Sequence, residues 1–266
     1  MTSLIGVGDN TVDTYIHQGM RYPGGNAVNV AVLARRYGYP SAYLGWLGND
    51  RNGELILNSL QQEGLDVSHC KVVEETNAFS EVNLVNGDRF FGAGTHGASA
   101  RIKLDADDYA YIQQFDIVHT STYSHLETCL ADLKKASHYL SFDFSDRQDP
   151  RYIQPVLPYL DVALFSRSDF PGKEQWMQEV FAQGPRLVLV TCGGEGAWVY
   201  DGHALYHQEI IPVKVVDTMG AGDAFAARFL VELVSGTPLQ KSMQLAAQSA
   251  AGNCLHFGAF GHGERI

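Results

Sequence analysis

Short apolar runs alternate with amphipathic stretches along most of this chain. Ser3 to Val7, Ala42 to Leu47, Asp116-Ile117-Val118, Leu140 to Asp143, Val162 to Phe165 and Leu187 to Thr191 are brief and mostly apolar. Such runs read as parallel strands buried on both faces. Between them, Asn26 to Ala34, Leu55 to Leu60 (ending at Gly64), Asp105 to Phe115 and Leu239 to Leu255 carry apolar residues at helical spacing. Strands alternating with helices predict an α/β protein with a mainly parallel central sheet and helices on both faces. From Lys71 to Phe91 the pattern changes to short runs around Asn86-Gly87-Asp88. Asn-Gly between such runs signals an antiparallel hairpin, expected to stand apart from the main sheet. Val213 and Val215-Val216 read as the end of a strand, and Ala221 through Phe225, Phe229, Leu230 and Leu233 as a buried helix after it.

Bulk properties narrow the classes of function. At 266 residues the chain can bury a large core, as one α/β domain or two smaller ones. The formal charge is −11 with no basic block, which excludes a nucleic-acid partner that needs clustered Lys and Arg. A polyanion such as ATP would have to be held by backbone amides, a metal and a few local cations. Cys70, Cys129, Cys192 and Cys254 lie at no metal-ligand spacing and read as reduced core residues of a cytosolic protein. The first eight residues look like a strand, not a signal peptide, and no apolar run is long enough to span a bilayer.

The candidate chemistry sits where strands give way to glycine turns. Gly220-Ala221-Gly222 opens a helix, so its backbone N–H groups can approach an anion at the positive end of the dipole. Asp223 lies in that first turn. A carboxylate beside a phosphate site makes sense as the acceptor of a proton from an attacking hydroxyl; the plain alternative is an acidic residue favoured by the dipole. A second glycine turn, Gly24-Gly25, opens another helix, with Asn26 placed to cap it and Asn29 one turn in. Asp9 and Asp13 follow the first strand, either as ligand acceptors or as stabilisers of a turn. Thr191-Cys192-Gly193-Gly194-Glu195-Gly196 lacks the dinucleotide fingerprint, because a strand and not a helix follows it, and no Gly-Lys-Ser/Thr triplet exists.

Asp217-Thr218-Met219-Gly220-Ala221-Gly222-Asp223 resembles the Asp-Thr-x-Gly-Ala-Gly-Asp signature of the ribokinase-like (PfkB-type) carbohydrate kinases. Gly24-Gly25-x-x-x-Asn29 is similar to the family's other signature, and Gly45-x-x-Gly48-x-Asp50-x-x-Gly53 and Thr191-x-Gly193-x-x-Gly196 match further family patterns. The resemblance runs from Gly8 to Ala259. It implies a ribokinase-like three-layer α/β/α sandwich over residues 1–266, with a small β lid inserted at about 10–20 and 70–100. It further implies Gly220, Ala221 and Gly222 as an anion hole, Asp223 as catalytic base, and Asp13, Gly24, Gly25 and Asn29 as sugar contacts, with Asp9 and the lid residue Arg89 as weaker ones. For ATP it implies Thr191, Gly193, Gly196, Arg147 and Gly258. Asp143-x-Ser145-x-Arg147 departs from the family's Asp-x-Asn-x-Arg at Ser145. Ser166-Arg167-Ser168-Asp169 stands where the family has Asn-x-x-Glu, which leaves Asp169 as a shorter substitute in holding magnesium. A monovalent cation such as potassium beside Asp217 and Thr218, and a homodimer through the lid, also follow by resemblance alone. Within the family the motifs look most like fructoselysine 6-kinases, which phosphorylate the C6 hydroxyl of an amino acid joined to fructose. A kinase of fructose, ribose, a keto-deoxy sugar acid or a nucleoside, or a sensor that kept the fold, stays open. His96, His119 and His125 read as structural or loop histidines.

Overall fold

The computed structural model describes residues 1–85, 88–168 and 171–266; for 84, 85 and 88–91 it describes the backbone alone. Eight strands form the central sheet, in the spatial order Leu205–Gln208, Ala197–Tyr200, Leu187–Thr191, Val162–Ser166, Tyr139–Asp143, Ile117–Ser121, Leu4–Val7, Ser41–Leu44. The last six of these run parallel and the first two antiparallel. Side chains alternate between two cores as the period of a strand requires. Val162, Leu164, Leu187 and Leu189 enter one core with the helices Asn26–Arg36, Ala221–Val234 and Leu239–Asn253. Ala163, Phe165, Val188 and Val190 enter the other, against Ala106–Ile112, Leu130–Ala136 and Lys173–Phe181. This is the three-layer α/β/α sandwich the pattern predicts.

A second sheet of five strands forms the lid, in the order Glu264–Arg265, Met20–Gly24, Thr11–Tyr15, Phe79–Val85, Asp88–Thr95. Tyr15, Tyr22 and Val82 give it a small core of its own. The lid is wider than expected, because Met20–Gly24 and the chain's C-terminal end both join it. Lys71–Val73 lies outside it and pairs in parallel with Trp46–Gly48. That pairing also splits the expected Ala42–Leu47 strand: Gly45 separates Ser41–Leu44 in the main sheet from Trp46–Gly48. Asn86-Gly87 lies outside the described residues, though the strands around it pair antiparallel.

The strand expected at Val213 to Val216 is absent. The last sheet strand, Leu205–Gln208, is already at the edge, and the chain leaves it over the surface with Val215 and Val216 exposed. Val216 and Asp217 donate their N–H groups to the Cys254 carbonyl instead. β-Branched residues make a strand only where a neighbouring strand and a packed face exist.

Candidate active site

The chain reverses its direction of travel across the sheet at Leu4–Val7, which lies between Ser41–Leu44 and Ile117–Ser121. In doubly wound sheets the crevice outside the carboxyl ends at such a point takes ligands. A cavity of ≈ 590 Å³ lies there, between the sheet, the lid and the start of the Ala221–Val234 helix. Asp9 and Asn10 enter it from the end of the first strand, Asp143 and Thr191 from the ends of later strands, and Asp13 from the lid.

Asp223 is held on its floor by two amides. Asn26 Nδ2 donates to Oδ1 at 2.8 Å and Asn29 Nδ2 to Oδ2 at 2.6 Å. Loss of water around the carboxyl is the main cause that pushes its pKa up, to about 7; Asp143 and Asp9 add to the rise and the two amides oppose it. A carboxylate tuned to neutrality suits general-base work. Gly220 caps the helix with φ +73°, and a methyl there would lie 2.5 Å from Ala259 Cβ, so the turn demands glycine on both counts. Gly220 has no side chain with which to cap this helix; Gly222 is exposed, and the space beside it is open.

The facing wall is built around Gly24 and Gly25. Asp13 is buried beside Gly24, near Asn29: a methyl on Gly24 would come within 2.8 Å of Asp13 Oδ2 and 3.8 Å of Asn29 Oδ1. Asn10 and Asn29 are both buried, and the amide oxygen of each has no partner among the described residues. Buried acceptors are normally satisfied, so two orphans lining one cavity mark where a ligand's hydroxyls would donate. Asp9 has a different role. Its Oδ2 accepts from Asn26 N at 2.6 Å, and its Oδ1 from Ala27 N, Ser121 Oγ and Ser124 Oγ. It caps the Asn26–Arg36 helix from across the site. The cap expected from Asn26 is therefore supplied by Asp9, which frees the Asn26 side chain to reach Asp143 and Asp223.

The proposed nucleotide side is less assembled. Thr191 lines the cavity. Gly193 and Gly196 flank the short turn after it, followed by the expected strand Ala197–Tyr200. Gly258 packs on Tyr22 and donates its N–H to Asp217 Oδ2 at 3.0 Å. Asp217 also accepts from Tyr15 O–H at 2.6 Å and Met219 N–H at 3.0 Å, which ties the lid and the C-terminal segment to the glycine turn. Arg147 is exposed and lies over the Tyr152 ring, outside the cavity lining. Asp169 and the Arg89 side chain lie outside the described residues. No group of three His, Cys, Asp or Glu among the described residues is arranged to hold a metal ion.

Comparison with known proteins fits this geometry. The pattern described as "pfkB family carbohydrate kinase" matches residues 1–261. The chain belongs to the pfkB family of carbohydrate kinases. As a member it is a phosphotransferase acting on an alcohol group. It is 38% identical over 266 residues to fructosamine kinase FrlD of Bacillus subtilis, covering 98% of this chain and 93% of that one. It is 36% identical over 264 residues to fructoselysine 6-kinase of Escherichia coli K12, covering 98% and 100%. Ribokinase of Arabidopsis thaliana, solved with ribose and ATP, superimposes with a TM-score of 0.83 at 22% identity, over 97% of this chain and 94% of that one. The last likeness is one of fold.

Asp223, Asn29, Asp13 and Gly25, which the family motifs single out, line one cavity. They do not single out Asn10 and Asn26, which also line it, or His119, which is buried behind Asn26. Asn26 lies inside the glycine signature, so its position was visible but not its direction. Among the other histidines, His96 lines the mouth and meets His125 edge to face at 5.1 Å.

Proposed function

We propose that this pfkB-family protein transfers the γ-phosphoryl group of ATP to the C6 hydroxyl of a fructosamine, an amino acid joined to fructose. The observation that carries the reading is the position of Asp223, beside the open Gly222 at the start of the Ala221–Val234 helix and in one cavity with Asp13, Asn10 and Asn29. Near-full-length identity to two kinases named for fructosamine substrates supports the choice of sugar. Asp223 takes the hydroxyl proton, the sugar oxygen bonds to the γ-phosphorus, and the bond from that phosphorus to the ADP oxygen breaks. The glycine turn meets the negative charge that spreads over the transferred group. Thr191, Gly193 and Gly196 cradle the nucleotide, and exposed Val215, Val216 and Leu255 offer an apolar ledge for its base. Magnesium supplies charge neutralisation when bound with ATP.

A separate hollow of ≈ 360 Å³ shares Thr95 and His96 with the cavity and is lined by Glu75 and Arg101, an ion pair at 2.8 Å. That is room for the charged amino-acid end of a fructosamine beyond the sugar. Potassium beside Asp217 and Thr218 belongs to the same reading, as does a homodimer through the outer lid strand Asp88–Thr95, which has a sheet neighbour on one side only. The four cysteines, none in a disulfide, suit the reducing cytoplasm.

An ADP-release assay with fructoselysine, fructose and ribose tests the proposal. The highest kcat/KM is expected for fructoselysine, and a preference for ribose overturns the choice of sugar.

A further inference from the structure

One buried imidazole at this site has no place in the phosphoryl-transfer scheme. His119 is wholly buried on the Ile117–Ser121 strand, and its Nε2 lies 2.8 Å from Asn26 Oδ1. The protonation of this contact follows from what lies beyond it. Asn26 Nδ2 is 2.9 Å from Asp143 Oδ2 and 2.8 Å from Asp223 Oδ1. Ionised carboxylates only accept, so both hydrogens of the amide point at them and its oxygen points at His119. The proton between His119 and Asn26 is then on Nε2. Nδ1 is left as an acceptor for the hydroxyl hydrogen of Ser141 Oγ at 2.8 Å, a shorter contact than the one from the same hydroxyl to Val118 O at 3.3 Å.

We propose that His119 is a positioning residue for the phosphoryl-transfer step: its Nε2–H fixes the Asn26 amide as a clip that holds Asp143 and Asp223 side by side and keeps Asp223 aimed as the proton acceptor. Asn26 spans three elements, because it starts one helix, faces the first turn of another and reaches the end of a strand. A side chain spanning so much holds its geometry only if its far end is anchored. The anchor is also neutral, since burial pushes the His119 pKa down to about 3. A cation in its place would draw down the basicity of Asp223 and weaken it as a base. The charged groups facing Asp223 are Asp143 on the Tyr139–Asp143 strand and Asp9 in the loop after the first strand, both acidic. Asn26 and Asn29 are the neutral donors set against them.

The proposal rests on Asp223 as the base but not on which sugar is bound. Three variants and one direct measurement test it. His119→Leu is expected to lower kcat by about 10–100-fold with little change in KM for ATP. The acid limb of its kcat/KM profile moves to higher pH, as Asp223 loses a well-placed donor. His119→Gln, whose amide N–H can replace Nε2–H, recovers most of the rate and the limb. Asn26→Ala reproduces the shift of the limb. Activity is read with whichever sugar the wild type turns over fastest. Nitrogen NMR of the labelled wild type reads the tautomer without substrate, and neutral Nε2–H is expected. The Nδ1–H tautomer, a charged His119 at neutral pH, unaltered kcat and acid limb in a folded His119→Leu, or Gln no better than Leu, each overturns the proposal. Where His119→Leu does not fold, His119→Gln and the NMR measurement still decide it.

Discussion

Among the described helices that begin on a glycine with positive φ, those opened by Gly25 at +111° and Gly220 at +73° bring their first turns to one cavity. Each collects unpaired N–H groups at the positive end of a dipole. At the Asn26–Arg36 helix that charge is answered from within, by Asp9 on the amides of Asn26 and Ala27. At the Ala221–Val234 helix the cap is Gly220, which has no side chain to offer, and Gly222 is open to the cavity. The same local device therefore does opposite jobs. The filled start is a fixed wall that carries Asn26 and Asn29; the open start is free for an anion from outside. What separates them is a carboxylate, distant in sequence, that reaches one and not the other.

The open start gives the largest expected effect. Asp223→Asn should lower kcat by about 10²–10⁴-fold in a coupled ADP assay, with folding kept, because only the proton acceptor is lost. Near-normal turnover would end its role as the base. Gly220→Ala forces a side chain into the left-handed region and against Ala259, so the turn must move. Displaced donors should cost about 10²-fold or more in kcat, whereas a rate within a few-fold of wild type would show that the turn does not position the transferred group.

The filled start should break differently. Asp9→Ala removes a cap and leaves the Ser121 and Ser124 hydroxyls without their shared acceptor. A loss of about 1–3 kcal/mol in urea unfolding is expected, larger than any loss confined to ATP binding. Unchanged stability would mean that the helix does not need this cap.

The pH dependence sharpens the contrast further. With Asp223 at about 7, kcat/KM should fall as pH drops below neutrality, since the base becomes protonated. The folded protein then holds an extra proton between its ordinary value of 3.8 and about 7. Wild type therefore loses stability relative to Asp223→Asn as pH rises through that window, measurable by urea unfolding at several pH values. Parallel curves for the two proteins would contradict the raised pKa. Smallest of all, Arg147→Ala should change KM for ATP by less than about threefold, since the guanidinium rests on Tyr152 outside the cavity. A tenfold rise would return Arg147 to the nucleotide site.

Much of this was legible along the chain. The six parallel strands of the main sheet are short apolar runs, and period-2 patterning already implies two covered faces. Asp223, Asn29 and Asp13 stood out because each lies a fixed step from a glycine turn. The failures have one cause in common. Val215 and Val216 carry strand propensity but meet no partner strand, and Lys71–Val73 has hairpin character but pairs with Trp46–Gly48 instead of the lid. Asn26 has the chemistry of a cap, yet its backbone is capped by Asp9. In each case a long-range partner overrode a local preference.

The order of residues alone determined the alternation of strand and helix, the glycine turns with the acidic residue after one of them, and a net charge of −11 with no basic block. Tertiary structure alone decided which helix start is sealed and which is open, and which way the Asn26 amide faces between His119 and two carboxylates. The seal depends on Asp9, 17 residues from Asn26, and the direction of the amide on groups 93 to 197 residues away, brought together only when the sheet closes. Hydrogen-bond direction is set by the partners present, and no local pattern carries that information.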